Sequence, residues 1–160
     1  NIPETIYLKN KDLEINVKSF SIQKKSHDDL FLECNERKKI RLISPTSFKS
    51  NGVTHIFPNI STLISGVVTK INQHSDSIEL GDKKIIDELL EKVYIKDYNL
   101  RTKFFYLESI KIKGFIGTMD LAIKGEDTML ASILNFLILM SEYTGLGIKT
   151  SLGMGGVKVE

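Results

Sequence analysis

The switching of hydrophobic period along residues 39–160 constrains this chain more than any other feature. Lys39 to Ser44 alternates apolar and polar residues, as a half-buried strand does, and Pro45 is expected to end it. Pro58-Asn59-Ile60-Ser61 then opens a helix to about Gln73, with Leu63, Ile64, Val67, Val68 and Ile71 at spacings of three and four. Asp82 to Val93 predicts a second, acidic helix with Ile85, Ile86, Leu89 and Leu90 inward. Thr102 to Lys113 and Phe115 to Lys124 read as paired strands, with Lys113-Gly114 as the turn between them. In the second of these strands Phe115, Gly117, Met119, Leu121 and Ile123 share one face. Asp127 or Thr128 caps a long helix ending near Tyr143. Its apolar positions (Leu130, Ile133, Leu134, Leu137, Ile138 and Met140) nearly surround it, so it is expected to be covered on most sides. Val157 and Val159 alternate with Lys158 and Glu160 in a last strand.

With the acidic helix treated as an insertion, the order is β-α-β-β-α-β. That order predicts an α+β, ferredoxin-like domain: a four-stranded antiparallel sheet with two helices on one face. The preceding residues predict a strand pair, Ile6–Leu8 with Leu13–Ile22, around Lys9-Asn10-Lys11-Asp12. A short helix is then expected from Ser26, Asp28 and Asp29 to about Cys34. Residues 45–57 read as a loop in which Asn51-Gly52 marks a turn.

Charge excludes little. The 22 Lys and Arg against 20 Asp and Glu leave a net +2, spread as +4 over residues 1–70, −3 over 71–98 and +1 over 99–160. The densest basic cluster is Arg37, Lys38, Lys39 and Arg41. A single cysteine, Cys34, rules out an internal disulfide framework and a multi-thiolate metal site; it fits a reducing compartment, so a cytoplasmic location is expected. The longest uncharged stretch, Thr128 to Ser141, falls short of the roughly 20 residues that cross a bilayer, so no membrane association is expected. His27, His55 and His74 have no second ligand at metal spacing, and no nucleophile elbow is present, so neither a metal nor a cofactor is expected. His27 and His55 are candidates for general acid–base work, weighed against ordinary loop histidines.

The chemistry-bearing feature is terminal. Five of the 11 glycines fall in the last 16 residues, in the segment Gly-Leu-Gly-Ile-Lys-Thr-Ser-Leu-Gly-Met-Gly-Gly. It follows a helix and enters a strand, which excludes the dinucleotide and P-loop glycine motifs, since those run from strand to helix. Gly145 also suits a plain helix C-cap. Bare glycines allow close approach of another backbone, and Lys149, Thr150 and Ser151 add a cation and two hydroxyls, a set suited to a phosphate backbone. The aromatic run Phe104-Phe105-Tyr106 could stack bases. The competing reading has Phe104 and Tyr106 facing one way while Phe105 packs in the core.

The terminal segment with Val-Lys-Val after it resembles the C-terminal glycine-rich signature of the CRISPR repeat-RNA processing endoribonucleases, members of the RAMP superfamily. Ile40-Arg-Leu-Ile-Ser-Pro-Thr-Ser-Phe48, with Phe57-Pro58 after it, and Lys113-Gly-Phe-Ile-Gly117 resemble two further motifs of that family in the same order. The resemblance implies two ferredoxin-like domains in tandem. Residues 1–36 would be the tail of a truncated first domain and the connection, and residues 37–160 the second domain. It implies metal-independent cleavage of repeat RNA by the substrate's own 2′-hydroxyl, leaving a 2′,3′-cyclic phosphate. The family's catalytic histidine belongs to the first domain, and no histidine here matches it, so this chain is expected to be mainly the RNA-binding part. The implied RNA contacts are Gly145, Gly147, Lys149, Thr150, Ser151, Gly153, Gly155 and Gly156, with Ser47, Lys49, Arg37, Lys38, Lys39 and Arg41 as second-rank candidates. Other subunits of a CRISPR effector complex and a second copy of the chain are further partners open to such a protein. Two rival readings are a non-catalytic RAMP scaffold subunit of such a complex and a ferredoxin-like domain whose glycines are purely structural.

Overall fold

The computed structural model describes residues 5–8, 13–19, 22, 24, 26, 29, 39–74, 80, 82–107 and 110–160. Its strands are β1 (Thr5–Leu8), β2 (Leu13–Asn16), β3 (Lys39–Thr46), β4 (Phe48–Ser50), β5 (Val53–His55), β6 (Val93–Leu107), β7 (Ile110–Ile123) and β8 (Val157–Val159). Its helices are α1 (Ile60–His74), α2 (Lys83–Lys92) and α3 (Thr128–Thr144). Four strands form one sheet in the order β6-β7-β3-β8, and every pairing in it is antiparallel. With α1 between β3 and β6, and α3 between β7 and β8, this is the ferredoxin-like arrangement that the period switching predicts.

The core lies between the sheet and the helices. Ile40, Leu42, Phe115, Met119, Leu121 and Val157 are buried on the sheet, and Leu63, Ile64, Val67 and Ile71 on α1. Burying each such side chain stabilises by about 1.5–3 kcal/mol relative to exposure. Asn59 caps α1, its Oδ1 accepting from the Thr62 amide at 3.0 Å. The inserted α2 buries only Leu89 fully, and Asp82 Oδ1 caps it through the Lys84 amide at 2.9 Å. The Asn72 side chain pairs with both backbone groups of Leu80.

Several boundaries differ from the sequence reading, each for a local reason. β3 runs through Pro45 to Thr46, because the β3/β7 register shifts between Leu42 and Thr46 and leaves the missing proline N–H without a ladder partner to serve. Residues 48–55 are a hairpin rather than a loop: Asn51 and Gly52 have φ of 49° and 79°, the left-handed pair of a two-residue hairpin turn. β6 begins at Val93, well before Thr102, because a register shift between Ile95 and Asp97 breaks the alternation that would have revealed it. Lys113-Gly114 is not a turn. Gly114 pairs with Lys103 in mid-strand, and the chain reverses between Leu107 and Ile110. Gly114 is bare because β3 crosses it: a methyl group there would lie 2.7 Å from the Thr46 carbonyl oxygen. The first strand pair is present as β1 and β2, but β2 stops at Asn16 rather than Ile22. Ser26 and Asp29 bond reciprocally as in a capping box. The rest of the expected short helix, His27 and Cys34 included, lies outside the described residues.

α3 starts at a charged junction. Asp127 Oδ1 accepts from the Leu130 amide at 3.0 Å, while Lys92 reaches both Glu88 (2.7 Å) and Asp127 (3.2 Å). The Leu130 amide first, and Lys92 second, hold the Asp127 carboxyl below its ordinary value. A depressed carboxylate contributes stability above its unfolded-state pKa and loses it as pH falls through the folded value. Asp127→Ala therefore lowers the thermal midpoint at neutral pH. The gap to wild type closes as the solution is acidified below the carboxylate range, and thermal melts across that range will read it.

Candidate nucleic-acid interface

The glycine-rich segment is a two-limbed loop between α3 and β8. Gly145, at φ 66°, turns the chain out of α3 while its N–H still donates to Ser141 O at 2.9 Å. Leu146 and Met154, each 1% exposed, plug the two limbs into the core. The limbs bond to each other through Leu146 N to Gly155 O (2.8 Å). They also bond to the end of β3, through Ile148 N to Ser47 O (2.9 Å), Gly155 N to Pro45 O (3.0 Å) and Gly156 N to Ser44 Oγ (2.7 Å).

This geometry corrects the reading of the glycines. A methyl group on Gly155 would overlap the Leu146 carbonyl oxygen, and one on Gly147 would overlap that of Ser47. At Gly145 it would meet the Thr150 methyl at 2.9 Å, and at Gly156 the Ser44 hydroxyl at 3.1 Å. The missing bulk lets the chain approach itself. Gly155 is buried and offers nothing to an incoming strand. Ser47 is likewise withdrawn from the second rank of contacts: it is fully buried, and its contribution is the carbonyl that anchors Ile148.

What faces solvent is the tip. Thr150–Leu152 form a single 3-10 turn, entered through Lys149 at φ 54°, ψ 35° and left through Gly153 at φ 94°. Lys149, Ser151, Leu152 and Gly153 are exposed, and Thr150 is half-buried. The turn closes through Leu152 N and Gly153 N. Among the described residues, the amides of Lys149, Thr150 and Ser151 have no partner in the chain. A lysine in the left-handed region is held there against about 1–2 kcal/mol of steric preference. Amides without a partner among the described residues, on a tight turn entered through a lysine, are a set chemically suited to an anion.

The basic candidates do not gather there. Lys39 and Arg41 are exposed at the far end of β3, and Arg41 is paired with Glu160 at 2.7 Å. Lys49 is exposed on β4, two residues beyond the anchoring Ser47. Arg37 and Lys38 lie outside the described residues. Phe104 and Tyr106 share one exposed face of the β6/β7 hairpin with Lys111, whose Nζ sits 4.0 Å from the Phe104 ring centre. Phe105 is half-buried on the other face and packs beside Gly153 at the loop tip, not in the core.

Lys70, which the sequence reading passed over, and His74 of α1, with Glu142 and Tyr143 of α3, line a cleft of about 640 Å³ together with Thr150, Ser151 and Gly153. Lys70 sits one helical turn after Val67 and directly before Ile71, at the margin of the apolar stripe, a place normally read as solvated. No group of three or more His, Cys, Asp or Glu gathers among the described residues, and no helix among them is long and apolar enough to cross a membrane.

Comparison with known proteins bears on this geometry. Residues 40–157 match the family model of the CRISPR-associated endoribonuclease Cas6. A Cas6 endoribonuclease of Streptococcus thermophilus is 31% identical over 152 residues, which cover 92% of this chain and 62% of that protein. One from Mycobacterium tuberculosis is 28% identical over 133 residues, covering 82% of this chain and 42% of that protein. The chain thus spans about two fifths to three fifths of the length of these relatives. A Cas6 (TTHA0078) product complex superposes with a TM-score of 0.75 at 24% identity, over 85% of this chain and 56% of that one. Cas6 (TTHB231) from Thermus thermophilus gives 0.75 at 19% identity, over 85% of this chain and 58% of that one. At these identities the structures speak for the fold alone.

Proposed function

Because the chain belongs to the family of the CRISPR-associated endoribonuclease Cas6, we propose that it is the part of a repeat-RNA processing nuclease that holds the RNA backbone at the cut. In the cleavage that the resemblance implies, the 2′-oxygen bonds to the neighbouring phosphorus and the bond to the 5′-oxygen breaks. A base takes the hydroxyl proton, an acid returns one to the leaving oxygen, and positive charge or amides stabilise the phosphorane. The loop tip supplies the last of these requirements. Lys149 lies against a phosphate, the amides of Lys149, Thr150 and Ser151 point at its oxygens, and the Ser151 hydroxyl adds one further bond. The observation that carries this reading is the exposed, strained Lys149 in a turn whose amides at Lys149, Thr150 and Ser151 have no partner among the described residues. The relatives are described as endoribonucleases, and no observation favours the scaffold reading.

Lys149→Gly is the discriminating substitution, because it removes the cation and relieves the left-handed strain at once. The variant should melt no lower than wild type yet bind RNA carrying one repeat about tenfold more weakly. The slope of log affinity against log salt should fall by about 0.7 if one phosphate contact on a single strand is lost. Unchanged affinity and slope would remove Lys149 from the interface.

A further inference from the structure

The Lys70 ammonium donates to three carbonyl oxygens: Thr144 at 3.1 Å, Gly145 at 3.0 Å and Gly147 at 3.4 Å. All three belong to the end of α3 and the first limb of the loop, while Lys70 itself comes from α1. A helix C-terminus presents unsatisfied carbonyls at the negative end of its dipole, so a cation is well placed there. Among the described residues no carboxylate pairs with Lys70, and burial holds its pKa below the ordinary lysine value. The titratable side chains that line the same cleft are His74 from α1 and Glu142 and Tyr143 from α3. Glu142 is already bonded to the Val159 amide at 2.6 Å. The three ammonium protons are therefore spent on the loop, and none is left for a ligand.

We infer that Lys70 is the positioning residue of the glycine-rich loop, setting where Lys149 and the free amides stand relative to the RNA. The inference rests on the reading of the loop tip as an RNA contact. Gly147 is two residues from Lys149, so releasing its carbonyl frees the limb that carries the tip. Because Lys70 acts through the loop and touches no phosphate, its removal weakens binding without removing a counterion-releasing contact. That separates it from Lys149 in a single titration.

The test compares wild type, Lys70→Met, Lys70→Arg and Lys149→Gly at a temperature where circular dichroism shows each folded. The probe is a labelled RNA carrying one CRISPR repeat, titrated across salt concentrations. Lys70→Met should bind about tenfold more weakly with the wild-type salt slope, and Lys70→Arg should restore most of the affinity. Amide exchange at Leu146, Ile148 and Gly155 should speed up in Lys70→Met with no RNA present. Should Lys70→Met not fold, Lys70→Gln replaces it in the same comparison. Wild-type affinity in the folded variant, or loop exchange at the wild-type rate, overturns the inference. A fall in slope matching that of Lys149→Gly also overturns it, since Lys70 would then contact phosphate directly. Failure of wild type to bind the RNA at low salt sinks the RNA reading of the loop, a different result from wild type and Lys70→Met binding alike.

Discussion

Gly155→Ala should destabilise the protein by about 4 kcal/mol, the largest effect expected from adding a single methyl group to this chain. Two costs combine. The residue sits at φ 66°, where an L side chain loses about 1–2 kcal/mol. Its Cβ would also overlap the Leu146 carbonyl oxygen, so the two limbs must part. Parting breaks the bonds from Leu146 N to Gly155 O and from Gly155 N to Pro45 O. Each buried group left unsatisfied costs about 1–3 kcal/mol. Gly66, in mid-α1 with nothing within 4 Å of its would-be Cβ, is the control. Gly66→Ala should stabilise by about 0.5–1 kcal/mol, since helix propensity is then the only term that changes. Urea unfolding of both variants reads the contrast. A Gly155→Ala protein within about 1 kcal/mol of wild type would mean the limbs are not packed as described.

The same substitution would disrupt the loop whatever the loop touches, so it would say nothing about contact. That is why the glycines were the least legible part of the sequence. A run without side chains announces that something comes close; it does not announce what. Here the close neighbour is the chain's own backbone at Ser47, Leu146 and Gly155, and only the structure separates those glycines from the exposed tip at Lys149–Gly153. Gly114 misled in the same way: Lys-Gly between two alternating stretches looks like a turn, but its bareness answers to Thr46, distant in sequence. Lys70 was invisible for the opposite reason. A charged residue at the edge of an apolar stripe is normally solvated, and only the C-terminus of another helix gives its ammonium a half-buried place.

The element order was legible because it depends on period alone. β7 shows its inward face in Phe115, Met119 and Leu121, and α1 its stripe in Leu63, Ile64, Val67 and Ile71, regardless of what packs against them. Period failed where the backbone itself became irregular. The register shifts at Leu42/Thr46 and Ile95/Asp97 hid the far end of β3 and the near end of β6.

Phe136→Ala tests the other support of the site. The expectation that α3 is covered on most sides is met in its second half, where every residue from Phe136 to Ser141 is buried. Six consecutive residues exceed one full helical turn, so no face of that stretch meets water. α1, α2, β7 and β8 all pack against α3. Phe136 is fully buried, yet it was absent from the apolar positions used to read the helix, although it stands three residues after Ile133 and four before Met140. In a helix enclosed all round, spacings of three and four no longer pick out a single inward face. Phe136→Ala should cost about 3–5 kcal/mol through lost transfer energy and a cavity, against a total stability of about 5–15 kcal/mol for a domain. Phe136→Leu should cost less, because it keeps more of the buried volume. Met129→Ala, at a side chain 56% exposed near the start of the same helix, should fall within about 0.5 kcal/mol of wild type. Chemical denaturation of the three variants gives the order. Since α3 ends at Thr144 and hands the chain directly to Gly145, the Ala variant should also speed amide exchange in the loop. A loop unmoved in a protein so weakened would show that the bonds from β3 and Lys70 hold it independently of α3.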